Sequence, residues 1–185
     1  MKRRTASTGP DSLSYDDEFA RFFGERAHQL RSTAYLLCGD WHHAEDITQA
    51  ALLKLYLAWP KLERHDRLDA YARQVVTRTF LAERRRPWRR REQLTDLPPE
   101  QAGDEAGGPE QRMLVLRALA AVPPKQRAVL VLRFWHDLSV EETAAALRCS
   151  TGNVKSQSAR GLATLRDRLG PHFHELSLTS KGGSA

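Results

Sequence analysis

The chain has 185 residues and a formal net charge of +6, which suits one ordinary domain or two small ones and leaves no room for a large enzyme. A basic excess puts an anionic partner first, with nucleic acid the default candidate. The longest uncharged apolar run falls far short of the ~20 residues that cross a bilayer, and Lys2 to Arg4 lead into Thr, Ser, Gly and Pro instead of an apolar stretch, so an intracellular soluble chain without membrane contact is expected.

Residues 1–14, rich in Ser, Thr, Gly and Pro, read as a disordered arm. From Tyr15 onward Phe19, Phe22, Phe23, Ala27, Leu30, Ala34 and Leu37 recur at helical steps, and Gly39 follows as a C-cap. Asp40 opens a second helix that places Glu45 and Asp46 early, where they complement the dipole, and that stops at Pro60. A third is predicted from near Asp69, with Tyr71, Ala72, Val75, Val76 and Phe80 on one side, ending in Arg84 to Arg86 before Pro87. Cys38 and Cys149 form no CxxC pair, so neither a disulfide framework nor a cysteine zinc site is suggested, and both read as small buried hydrophobes.

Between 93 and 111 the composition shifts to three Pro, three Gly and five carboxylates with no Lys or Arg, which marks a linker. Fully extended, 19 residues could span up to roughly 60 Å at ~3.3 Å each. Beyond it Met113, Leu116, Leu119 and Ala120 mark a helix, and Pro124 begins another that carries Val129, Leu132 and Trp135. Ser139 and Glu142 form a capping box ahead of Ala144, Ala145 and Leu147. Arg148-Cys149-Ser150 makes a short turn before a helix from Thr151, which gives a helix-turn-helix. Residues 170–185 read as a flexible tail. No strand alternation or heptad array appears, so the class is all-α: two small helical modules, 15–92 and 112–169, joined by an acidic Pro/Gly linker.

On the helix from Thr151, Val154, Ser158, Gly161, Leu162 and Leu165 share one sector, while Asn153, Ser156, Gln157 and Arg160 fall opposite. Those four side chain types suit base edges and phosphates in a major groove; Lys155 and Arg166 flank them for phosphates, and small Gly152 would permit close backbone approach. The alternative is a solvated polar face, against which the capping box, the short turn and the local basic excess weigh. In the first module Arg84, Arg85, Arg86, Arg89, Arg90 and Arg91 surround Trp88, a cluster fit for phosphates with a ring that could stack on an unpaired base. A helix end decorated with cations is its plainer reading. The second helix carries an outward stripe of Glu45, Asp46, Gln49, Leu53 and Tyr56, acidic, then polar, then apolar, which fits a protein-docking face unless Leu53 and Tyr56 are core.

The run Cys38-Gly39-Asp40-Trp41-His42-His43-Ala44-Glu45-Asp46-Ile47-Thr48-Gln49, followed by Leu53-Lys54-Leu55-Tyr56, resembles region 2 of sigma-70-type factors. Val122-Pro123-Pro124-Lys125-Gln126-Arg127, Ser139-Val140-Glu141-Glu142-Thr143-Ala144 and Gly152-Asn153-Val154-Lys155-Ser156 resemble region 4. Two regions with a short linker resemble the extracytoplasmic-function (group four) subfamily, and Ala34-Tyr35-Leu36-Leu37-Cys38-Gly39-Asp40-Trp41 resembles its actinobacterial SigE-like branch. The resemblance implies a bacterial, cytoplasmic, nucleoid-associated specificity subunit of RNA polymerase with promoter DNA as ligand. Core polymerase docking on the β′ clamp helices falls to Glu45, Asp46, Gln49, Leu53 and Tyr56. Contact with the −10 element falls to Arg67, Arg73, Arg78, Arg84, Arg85 and Trp88. Reading of the −35 element falls to Asn153, Lys155, Ser156, Gln157 and Arg160, with that module on the β flap. The resemblance also leaves room for an anti-sigma protein. Tyr71-Ala72 and Arg78 depart from the family's common Trp-Leu and Asn, so its −10 words do not transfer.

A free-standing helix-turn-helix repressor is the runner-up, lacking an evident dimerisation helix. Catalysis is disfavoured: adjacent Glu45 and Asp46 point about 100° apart on a helix, and His172 with His174 lacks a third ligand. No catalytic residue, metal or cofactor is expected. The two modules are expected to fold separately and to stay flexibly joined until polymerase holds them.

Overall fold

The computed structural model describes residues 15–62, 68–84 and 109–172. These form helices throughout, with no strand among the described residues. The first module holds α1 (Tyr15–Cys38), α2 (Trp41–Ala58) with a 3-10 turn (Trp59–Lys61), and α3 (Leu68–Glu83). Gly39, at φ +75°, turns the chain out of α1 by adopting a backbone conformation that costs glycine little. Asp40 then caps α2, its carboxylate accepting from His43 N at 2.7 Å.

The apolar residues that recur along α1 to α3 close into one core of Leu30, Ala34, Leu37, Ile47, Leu55, Val76 and Phe80, all buried. Phe19 and Phe22 pack on Trp59 with ring centroids 5.2 and 5.3 Å apart, which pins the end of α2 to α1. Polar ties finish the bundle: His43 Nε2 lies 3.0 Å from Glu83, and Lys54 Nζ donates to Thr79 Oγ1 at 2.8 Å.

The second module holds α4 (Pro109–Ala121), α5 (Pro124–Leu130) running into a wide π-type turn (Val131–Trp135), α6 (Val140–Leu147) and α7 (Thr151–Leu169). Helix α4 begins at Pro109, inside the stretch that composition assigns to the linker, because proline is well suited to the first helical turn. The rest of that linker, the arm and the end of the tail lie outside the described residues. Helix α7 packs on α4, α5 and α6. Gly161 eases this approach: a Cβ there would stand 2.9 Å from Leu130 Cδ1, so any side chain at that position would have to displace Leu130.

The two modules are packed on one another, contrary to the expectation of separate bodies. The apolar core continues from α1–α3 into Leu116, Leu119, Val122, Ala128, Leu130 and Val131 of α4 to the π-type turn. Helix α1 touches α4 and α5, and α3 touches α5 and α6. The physical reason is Arg127. Arg127 is 1% exposed, and its guanidinium donates to the carbonyls of Ala120 and Val122 in its own module, and across the seam to Leu37 O at 2.7 Å. Burial lowers its pKa to about 10, which leaves it charged at neutral pH, so the carbonyls at two helix ends solvate it.

Candidate nucleic-acid interface

The helix-turn-helix is built as its sequence demands. Ser139 Oγ accepts from Glu142 N at 3.0 Å and the Glu142 carboxylate accepts from Ser139 N at 2.7 Å, the two halves of the capping box. Arg148 ends α6 in the left-handed region at φ +53°, which swings the chain through a three-residue turn. Ser150 restarts it, its hydroxyl accepting from Asn153 N at 3.2 Å. Val129, Ala144 and Val154 form the small core that sets α6 against α7, with Val140, Leu147 and Cys149 around them. Cys149 is therefore half-buried at the turn while Cys38 is fully buried, and burial pushes the Cys38 thiol up to about 12.

Along α7 the inward sector is as expected for Val154 and Gly161, both buried, with Ser158, Leu162 and Leu165 half-buried. Asn153, Ser156 and Arg160 are exposed on one side together with half-buried Gln157, and exposed Lys155 lies around the helix from them. The Ser156 hydroxyl donates back to Asn153 O at 3.2 Å, so its proton is already engaged within the helix. Gly152 is exposed, and a Cβ there would meet only Ser150 Oγ, at an ordinary contact distance of 4.0 Å.

In the first module Asp46, Gln49, Leu53 and Tyr56 share one exposed side of α2, with Leu53 60% and Tyr56 44% exposed. Leu57, 67% exposed, extends this side; its i, i+4 spacing from Leu53 was the signal that sequence reasoning missed. Glu45 stands apart, half-buried, with Arg31 Nη1 3.4 Å from its carboxylate and the Arg31 guanidinium over the Trp41 ring. Tyr56 stacks edgewise on Phe19 and donates to Asp16 at 2.9 Å, a bond that raises its pKa.

The arginines in and beside α3 are distributed differently. Arg73 is half-buried beside His136, and Arg84 has its pKa lowered by burial and then by nearby Arg127. Arg78 donates through Nε to Ala146 O at 2.8 Å and through Nη2 to Ala145 O at 3.2 Å, at the carbonyl end of α6. Arg67, Arg85 and Trp88 lie outside the described residues. No group of three or more His, Cys, Asp or Glu that could hold a metal occurs among the described residues, and His174 lies outside them. No helix among them is long and apolar enough to cross a membrane.

A capped helix-turn-helix with a polar outer stripe, joined to a bundle whose second helix exposes an acidic-to-apolar strip, defines an all-helical protein of the helix-turn-helix class. The sigma-70 region 2 description matches residues 22–90 and that of sigma-70 region 4 matches residues 112–165. An RNA polymerase sigma-E factor of Streptomyces coelicolor is 38% identical over 157 residues, covering 82% of this chain and 86% of that protein. The ECF RNA polymerase sigma factor SigE of Mycolicibacterium smegmatis is 31% identical over 166 residues, covering 86% of this chain and 63% of that one. Among solved structures, the sigma factor RpoE of Bartonella quintana, crystallised with the anti-sigma factor NepR, superposes with a TM-score of 0.68 at 23% identity over 83% of this chain and 98% of that chain, a likeness of fold. The chain belongs to the sigma-70 family, in the extracytoplasmic-function group beside the actinobacterial sigma-E factors, and directs promoter-specific transcription initiation.

Proposed function

We propose a division of labour between the modules. Residues 15–92 bind core polymerase and the −10 element, 93–111 form the linker, 112–169 read the −35 element, and 1–14 and 170–185 serve as arm and tail. Asp46, Gln49, Leu53 and Tyr56, with Glu45 at the edge, meet the β′ clamp helices; Leu57 enlarges the apolar part of that contact. Exposed Leu53 and Leu57 on a monomer surface support a protein partner. Arg67, Arg73, Arg78, Arg84, Arg85 and Trp88 engage the −10 element, supplying charge for phosphates and a ring for a flipped base. Asn153, Lys155, Gln157 and Arg160, with Ser156 beside them, enter the major groove at −35. Exposed Phe134 and Trp135 offer the second module an apolar contact for the β flap.

The observation that carries this reading is the separation of surfaces: the polar stripe of α7 and the acidic-to-apolar strip of α2 belong to different modules and are both exposed. The protein acts in the bacterial cytoplasm, associated with the nucleoid, supplies no chemistry or cofactor of its own, and is open to restraint by an anti-sigma protein. Transcription from a genomic fragment library with purified core polymerase tests it. Start sites that share two upstream words at a fixed spacing support the reading; tight duplex binding without polymerase and no initiation would favour a repressor.

A further inference from the structure

Tyr56 is tied to α1 at both ends of its side chain. Its hydroxyl donates to Asp16 Oδ1 at 2.9 Å, and its ring meets Phe19 edge-on with centroids 5.2 Å apart. Asp16 and Phe19 stand three positions apart and so share one face of α1, where Trp59 in turn holds Phe19. Tyr56 nevertheless stays 44% exposed beside Leu53 and Leu57 on the outward strip of α2. Contacts this open to water contribute little to the stability of a fold. What they fix is the direction in which the ring and hydroxyl face a partner. A side chain that must be ordered on binding costs affinity, and this one is ordered beforehand.

We propose that Asp16 is a positioning residue for polymerase binding: with Phe19 it holds Tyr56 in the orientation that docks, and it leaves the Tyr56 oxygen to accept from an N–H donor of the polymerase. The proposal rests on the reading of the α2 strip as the polymerase contact. A phenol has one proton to give and lone pairs to share. With that proton engaged by Asp16, the oxygen meets a partner as an acceptor, and the carboxylate behind it makes it a stronger one. An arginine, a lysine or a backbone amide fits such a site, in keeping with the negative charge that exposed Asp46 brings to the same strip. Docking also excludes water, so the bond between Tyr56 and Asp16 counts for more in the complex than in the free chain. That difference separates positioning from a structural role.

The test is titration of core polymerase with the full chain and its variants, each also taken through chemical denaturation. Asp16→Ala should weaken binding about 3- to 10-fold with the unfolding midpoint little changed, since the bond it removes is open to water in the free chain and shielded in the complex. Asp16→Asn keeps an oxygen that can accept the phenol proton and should bind within about twofold of the parent. Tyr56→Phe should lose at least as much as Asp16→Ala, and adding Asp16→Ala to it should cost nothing more, because the bond is already gone. Asp16→Asn as weak as Asp16→Ala would mark a direct charge contact from Asp16, and a full further loss in the double variant would mark two independent residues; either result overturns the proposal. So does a lowered midpoint in Asp16→Ala with binding unchanged, which would make the contact structural. Asp46→Arg, run alongside, checks the underlying reading. Binding like the parent there removes the strip from the contact and the proposal with it, whereas lost binding there with full binding by Asp16→Ala overturns the proposal alone.

Discussion

Arg127 Nη1 donates to Leu37 O at 2.7 Å, a bond between residues 90 positions apart that joins the end of α1 to the start of α5. An arginine this deep in a core, bonded to carbonyls of both modules, is a structural keystone and not a surface charge. Truncating it leaves buried carbonyls without donors, so Arg127→Met should cost about 2–4 kcal/mol in chemical denaturation. Arg127→Lys should recover little, since one ammonium cannot reproduce the guanidinium fork. A midpoint unchanged in Arg127→Met would contradict the assignment.

A side chain at Gly161 should strain the contact between α7 and α5. Its would-be Cβ stands 2.9 and 3.1 Å from Leu130 Cδ1 and Cγ, and Leu130 is itself buried. Gly161→Ala must push α7 from α5 or force Leu130 off its rotamer, at about 1–3 kcal/mol. Helix propensity favours alanine, so a rise in Tm would show that the contact relaxes freely.

Acid should weaken the fold through His136. Thr33 gives its one hydroxyl proton to Gln29 O at 2.8 Å, so it accepts from His136 Nε2 at 3.0 Å, a bond that either form of the ring can donate. Burial, then the charge of Arg73, lower its pKa from 6.5 to about 4. The unfolded chain therefore binds a proton that the folded chain refuses between those values. Stability from this group is whole above pH 6.5 and lost as the pH falls toward 4, by about 1–2 kcal/mol once partial exposure is discounted. Equilibrium unfolding against pH should show this slope, and His136→Asn should flatten it.

Much of this was legible in the sequence because local signals and tertiary demands agree. Asp40, Ser139 and Ser150 are capping residues followed by helical periodicity, and each caps as its type predicts. The inward and outward sectors of α7 followed from a rotation of about 100° per residue. The contact between modules was not legible. It depends on Arg127, which reads as an ordinary surface cation beside Lys125, and on Arg78, whose partners are backbone carbonyls that no side-chain pattern reveals. Glu45 likewise read as one of a stripe, whereas Arg31 and Trp41 draw it toward the bundle.

The most direct measurement of the division of labour reads core retention and promoter run-off on the same samples of two variants. Asp46 and Arg160 are both exposed, so neither change should disturb the fold. Asp46→Arg should abolish holoenzyme formation on gel filtration, and with it all run-off. Arg160→Ala should keep core binding and lower specific run-off by about 5- to 150-fold, the worth of one bidentate contact. If Asp46→Arg bound core polymerase like the parent, or Arg160→Ala lost core binding and run-off equally, the two surfaces would not have the separate tasks given to them here.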